Sequence, residues 1–493
     1  MSQEIYGIDL GTTNSCIATI NPADGQPEVI INQATQQTTP SVVYYDDLDT
    51  PIVGNDAKNM MKMNPLRSVA FIKREMSNKN YKRSIGTEEI SPVKISALIL
   101  KKLVDDANIA REYEGKAPIH KAVITVPAYF GNDEHVLTRQ AGEVAGLEVI
   151  GLLNEPTAAA LSYGKDTFEG KTIMVYDLGG GTFDVSIIRM HNGNLETLAT
   201  DGDHHLGGVD WDEMIVNYTL AVSGYDVTYA DIKDKKEGGA MILAAEQCKQ
   251  QLSVQTKAPM RFRYGGSKLQ TVEISQATFK ELTEELLDRT IDCTHHAIGL
   301  MKEQITIDEI ILVGGSSRMP MVKERLMREF PNIKIRLDRF EPDLAVAKGA
   351  ALYAANTSVI DDKSARSYGI LTTTGITNVL LRTDPMVFEG ISHFITSSEG
   401  QSSVWIKVYE NSSAEPTIHQ SKGDLILKRE LSWGKPVPKG TEVTAFVRRG
   451  KDGIVHIEVK CESSSVTLEI QPERQLSATE VKKLKDEFKD IEL

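Results

Sequence analysis

The chain has 493 residues, 41% hydrophobic and 25% charged, which is globular composition with material for about three domains. Acidic residues number 69 against 55 basic ones, and the net charge of −14 repels nucleic acid and anionic lipid, so neither is expected as a partner. Cys16, Cys248, Cys293 and Cys461 lie far apart with no C-x-x-C, the Met1-Ser2-Gln3-Glu4 start lacks signal-peptide features, and no apolar run reaches about 18 residues; a cytoplasmic protein without disulfides, zinc or a membrane span is expected.

In chain order, Tyr6-Gly-Ile-Asp-Leu-Gly-Thr-Thr-Asn14 leads into the apolar run ending at Ile20. Far downstream, Met174-Val-Tyr-Asp-Leu-Gly-Gly-Gly-Thr182 leads into Phe183–Ile188. Each copy reads as strand, Asp-Leu-Gly, small-residue turn, strand, so a repeated β-hairpin in two related lobes is expected. Ala122–Val126, stopped by Pro127, suits a buried strand, and Asp133–Ala145 a helix ending at Gly146. Pro156 is placed to open a further helix. Over Gly238–Ser253, Met241, Ala245, Cys248 and Leu252 fall on one helical face, and Glu246, Lys249 and Ser253 on another that reads as solvated. Ile310–Val313 is a buried-strand run, followed by Gly314-Gly-Ser-Ser-Arg318 and a helix from about Pro320.

The character changes near Ala355. Asn356–Ser367 is polar and reads as a linker; beyond Tyr368 the pattern alternates, as in Val404, Ile406 and Val408 against Trp405, Lys407 and Tyr409, and in Ile457 and Val459 against His456, Glu458 and Lys460. Lys451-Asp-Gly453 is a turn signal. The stretch Ser477–Leu493 reads as one short helix, with Ser477 and Glu480 as a capping box and Val481, Leu484 and Phe488 along one face. Trp211, Trp405 and Trp433 read as packing residues; His204 and His205 beside Asp203 lack a further ligand-spaced partner, so no metal is expected there.

Glycine and threonine turns offer phosphates many donors without bulk, and Gly11-Thr-Thr-Asn14 and Gly179-Gly-Gly-Thr182 both fit. Asp9 and Asp177 precede them, and a carboxylate beside a phosphate calls for a cation between, hence Mg²⁺ held through water.

With these loops on view, the chain resembles the seventy-kilodalton heat-shock (DnaK-like) chaperone family, within the actin-like ATPases. The matching text is Gly7–Ser15, Val123–Phe130, Asn154–Ala160, Asp177–Asp184, His205-Leu-Gly-Gly208 and Val313–Arg318. The resemblance implies a two-lobed α/β actin-like ATPase domain over residues 1–357 and an interdomain linker over 358–367. A small antiparallel β-sandwich peptide-binding domain over 368–476 and a short C-terminal helix over 477–493 would follow. It implies ATP or ADP with Mg²⁺, and K⁺ as a further ion. By the same resemblance, Gly11, Thr12, Thr13 and Asn14 would hold the phosphates, opposite Gly179, Gly180, Gly181 and Thr182. Lys73 would be the catalytic lysine, and Glu155, Thr182 and Asp184 would order the attacking water. Gly207, Gly208, Glu246, Lys249, Ser253, Gly314, Gly315, Ser316, Arg318 and Asp343 would complete the nucleotide site.

The expected function is an ATP-dependent chaperone that hydrolyses ATP to control its hold on extended apolar peptides. J-domain and nucleotide-exchange co-chaperones are the partners this implies. The alternative is a nucleotide-switched module for one folded partner. A sugar kinase would leave the β segment without a role. Some positions depart from the family. Val359–Ser367 replaces a leucine-rich linker, His135 and Gly151 stand where arginines serve relay and J-domain docking, and Gln250 replaces a stacking arginine. These changes leave ATP chemistry intact and speak against ordinary interdomain coupling and J-domain stimulation. Only the opening helix of the family's long lid is recognisable, which would favour fast peptide release. The loops around Thr374 and Ser397 depart from the family text, so no groove residues are assigned.

Overall fold

The structure is a computed structural model that describes all residues except 1–3, 79, 192–193, 302–304, 337–341, 356–359, 362–364, 385–387, 451–452, 462–466, 471–475, 490 and 492. Val359, Glu341, Lys451 and Asp452, which carried parts of the linker, base-site and turn expectations, fall outside the described residues.

Both repeated segments form antiparallel hairpins, with Asp9 opposite Cys16 and Asp177 opposite Asp184. Each hairpin is extended on its open side by a parallel strand: Lys121–Val126 beside Tyr6–Asp9, and Glu309–Val313 beside Thr172–Leu178. Two six-stranded mixed sheets result, each with its own apolar core. The expected apolar runs are fully buried strands because both of their faces are covered by helices.

Between the sheets, helix Ala345–Ala355 crosses helix Glu155–Ser162 with backbones nearly in contact. A Cβ at Gly349 would come within 1.7 Å of the Ala158 carbonyl oxygen, and one at Gly7 within 2.2 Å of the Ala351 nitrogen. Glycine is therefore required at both positions for sheet and helices to meet.

The segment after 366 folds as two antiparallel sheets packed face to face. One runs Thr417–Ile418, Gly375–Leu380, Ser367–Thr372, Gln401–Asn411, Asp424–Val437; the other runs Phe388–Ile395, Glu442–Arg449, Val455–Cys461, Thr467–Ile470. Tyr368, Val408, Leu427, Val443, Val447 and Val459 share their core. The alternation expected through Tyr409 holds, but both faces are buried: Val408 enters the shared core, whereas Tyr409 packs on the opposite face against Ile376 and Ile418. Trp405 corrects the packing expectation: it is 54% exposed, with the Lys428 ammonium 5.1 Å from its ring centre, whereas Trp211 and Trp433 are buried.

The polar stretch expected as a linker includes a short strand. Ile360–Asp361 adds to the open edge of Asn194–Asp203, pairing with Leu195 and Glu196. The altered relay positions do not leave the two halves apart. Arg382, only 3% exposed, donates to the Thr200 carbonyl at 2.6 Å and approaches Asp201 at 3.4 Å. The Asn132 amide donates to Glu410, and the Val455 amide donates to the Asn132 side chain at 2.7 Å. His135 packs under Gly453, where a Cβ would lie 2.6 Å from the imidazole.

The last helix, Ala478–Lys489, is opened by the expected reciprocal Ser477/Glu480 cap. Its apolar face docks on the first lobe through Val481, Leu484 and the buried Phe488. Phe488→Ala removes about 3–5 kcal/mol of packing. It should release this helix, read as faster amide exchange over 478–489 with the hairpin strands unchanged.

Candidate functional site

The two hairpin turns face each other across a cleft of about 950 Å³. Its floor holds Asp9, Gly11, Thr12, Thr13 and Asn14 from one turn and Asp177, Gly179, Gly180 and Thr182 from the other. The turns interlock: a Cβ on Gly180 would meet the Thr13 hydroxyl at 1.8 Å, and one on Gly181 the Thr12 methyl at 2.3 Å. Only glycines let these two backbones close on a shared ligand.

Lys73 enters from a short 3₁₀ turn, Ile72–Glu75, just after Phe71, whose left-handed backbone (φ 58°) redirects the chain towards the cleft. Its ammonium is buried against Glu155, the first residue of helix Glu155–Ser162. Thr125 donates to Asp9 at 3.3 Å, and the Tyr129 amide donates to Asp184 at 3.0 Å. Asp9, Asp177 and Glu155 thus line the cleft together with the Lys73 ammonium, and Asp184 is buried behind them. Burial, reinforced by the charge of Glu155, pushes Asp9 up to about 7 and Asp184 up to about 8, and raises Asp177 well above the carboxylate range. Lys73 opposes all three shifts without cancelling them. Such a gathering of buried carboxyl groups fits residues that would hold a cation. Among the described residues no three His, Cys, Asp or Glu side chains converge to hold a metal alone. The fit is therefore to an ion shared between Asp9, Asp177, their waters and a phosphate-bearing ligand, as suits Mg²⁺.

At the other end of the cleft lie Glu246, Lys249 and Gln250 on helix Lys236–Leu252, Ser253 just beyond its end, then Gly314, Gly315, Ser316, Arg318 and Asp343. Arg318 pairs with Asp343 at 3.0 Å across the mouth. A Cβ at Gly315 would press on that carboxylate at 2.9 Å.

Two expectations change here. Lys249 is not on a solvated face: it is 8% exposed and donates to the Gly208 carbonyl at 2.6 Å and to Asp212 at 2.8 Å. Gly207 and Gly208 buttress the second turn from behind, because the Gly208 and Val209 amides donate to the Gly179 and Gly180 carbonyls. The start of helix Gly208–Val222 is thereby spent on the turn.

Asp212, Tyr129 and Lys58 were missed in the sequence. Lys58 reaches across the cleft to Glu246 at 2.7 Å, closing one lobe on the other. Nothing local marks it, since the two residues lie 188 apart in the chain. Asp212 had a signal, the Asp-Trp-Asp212 that follows the glycine pair at the end of a recognised motif.

Comparison with known proteins places these features in company. A family model described as Hsp70 protein matches residues 5–88 and 76–492. The chain is 37% identical over 492 residues to proteins named chaperone protein DnaK from two strains of Halobacterium salinarum, covering 95% of this chain and 75% of each relative.

Proposed function

The chain belongs to the Hsp70 family, and from that premise we propose that it is an ATP-hydrolysing chaperone whose nucleotide state governs its hold on extended apolar peptides. The observation that carries this reading is the group of buried carboxyls beside Lys73, set between two interlocked glycine turns. The proposed units are an ATPase part over 1–357, a joining segment over 358–367, a peptide-holding part over 368–476 and a closing helix over 477–493.

Gly11, Thr12, Thr13 and Asn14 bind the phosphates from one side and Gly179, Gly180, Gly181 and Thr182 from the other. Glu246, Lys249, Ser253, the Gly314–Arg318 turn and Asp343 receive the nucleoside. Asp9 and Asp177 would hold Mg²⁺, which would supply charge neutralisation to the phosphates. Lys73 stabilises charge on the transferring phosphoryl group. Glu155, Thr182 and Asp184 orient the water that attacks it, giving ADP and inorganic phosphate. The paired sheets hold an extended peptide by main-chain hydrogen bonds and an apolar pocket. A J-domain protein and a nucleotide-exchange factor are the partners such a cycle uses.

Steady-state ATPase measured with and without an unfolded peptide tests the proposal. Peptide-stimulated turnover is expected; turnover with no peptide binding in any nucleotide state rejects the chaperone half.

A further inference from the structure

Lys73 and Val209 line the cleft from opposite lobes, but the residue that follows each does not. Arg74 and Asp210 meet each other instead, behind the wall their neighbours form. The Arg74 Nη2 donates to both Asp210 oxygens, at 3.0 and 3.1 Å. The two side chains are 13% and 20% exposed, so solvent begins on the far side of the pair. The pair is thus a lobe-to-lobe bridge behind the phosphate turns, as Lys58–Glu246 is one at the nucleoside end.

The two partners are held unequally. Asp210 also accepts from the Gly207 amide at 2.7 Å, and a Cβ on Gly207 would meet the Gly181 nitrogen at 2.4 Å. The carboxylate is therefore fixed to the second turn. Arg74 has no such second hold: among the described residues its buried Nε finds no acceptor. Glu213, three residues beyond Asp210 on helix Gly208–Val222, faces the same guanidinium, whose charge opposes the rise that burial and Asp210 give its carboxyl. The bridge therefore opens by a swing of the arginine, with an acid one turn away to receive it.

We propose that the Arg74–Asp210 bridge is a gate for inorganic phosphate, so that the two products of hydrolysis leave by different doors. The inference rests on the ATPase reading above. Hydrolysis leaves phosphate on the floor, between the glycine turns and Lys73, with ADP filling the cleft between it and the mouth. The mouth itself is spanned by Arg318–Asp343 and Lys58–Glu246. On the rear side the phosphate has the Arg74–Asp210 bridge between it and water.

The chemistry of the bridge suits that task. A guanidinium offers an oxyanion two parallel donors from its Nε and one Nη. Arg74 spends only Nη2 on Asp210 and keeps Nε idle, so this edge is open to a departing phosphate. Phosphate and Asp210 then compete for one cation, and the bridge opens by exchange of partners rather than by loss of one.

Exchange of inorganic phosphate with the Mg·ADP complex of the full chain, followed by phosphorus NMR magnetisation transfer, tests the gate apart from the chemical step. Arg74→Gln is expected to raise the entry and exit rates about tenfold, the loss of one hydrogen bond between charged groups. Phosphate affinity and the displacement rate of a fluorescent ADP analogue should stay unchanged. Arg74→Lys keeps a cation for Asp210 and gives up no Nε contact, so it should exchange phosphate near the unaltered rate. Lys58→Gln should quicken ADP displacement and leave phosphate exchange alone. Unchanged exchange in Arg74→Gln, a change in affinity that accounts for the rates, or ADP leaving equally faster overturns the gate. So does Arg74→Lys exchanging as fast as Arg74→Gln. Absence of ATP hydrolysis in the unaltered chain instead rejects the ATPase reading on which the gate rests.

Discussion

Replacing Lys73 with alanine is expected to slow single-turnover ATP hydrolysis roughly 10²–10³-fold while leaving nucleotide affinity little changed. The ammonium is 5% exposed and stands beside the carboxyl groups of Asp9, Asp177, Asp184 and Glu155, so its charge is poorly replaced by solvent. The substitution also leaves Glu155 buried without its cation, at a cost of about 3–5 kcal/mol in stability. The two effects separate in the double variant Lys73→Ala, Glu155→Gln, which should regain stability and not rate. Recovery of rate in the double variant would mean that Lys73 serves only to neutralise Glu155.

The second large effect lies away from the nucleotide. Gly349→Ala adds one methyl group, but its carbon would sit 1.7 Å from the Ala158 carbonyl oxygen and 2.4 Å from the Ala158 carbonyl carbon. Those atoms are backbone inside a helix and cannot swing aside, so the two helices must separate. Overpacking of this kind costs about 3 kcal/mol. The helix that must move begins at Glu155, so the cost reaches the cleft. A displacement of about 1 Å lowers the hydrolysis rate about 10²-fold. A chemical-denaturation midpoint and a single-turnover rate both unchanged in this variant would contradict the helix crossing.

What was legible in the sequence was local. Each hairpin is written in contiguous residues, because a turn of glycines between apolar runs has few other solutions. The floor of the cleft followed, since its acids stand at the strand ends beside those turns. The exposure of Lys249 was misread because helical periodicity groups it with charged neighbours, whereas it is buried against Asp212, 37 residues away in the chain on helix Gly208–Val222. The short strand in the joining segment was not foreseen for another reason. Strand addition uses main-chain groups, so the mostly polar text around Ile360–Asp361 neither signals nor prevents it. The meeting of Arg366 with Tyr129 and His204 joins residues far apart in the chain, so no local pattern marks it.

On the proposed function, the docked arrangement of the two halves would be the physical basis for coupling them, since a nucleotide can bias a peptide-holding part only through a difference in contact between states. The most direct test is the dissociation rate of a fluorescent extended apolar peptide from the full chain, measured in Mg·ATP and in Mg·ADP. Release is predicted to be faster in ATP by about 5–150-fold, the usual span of such couplings. Equal release rates in the two nucleotides would contradict it.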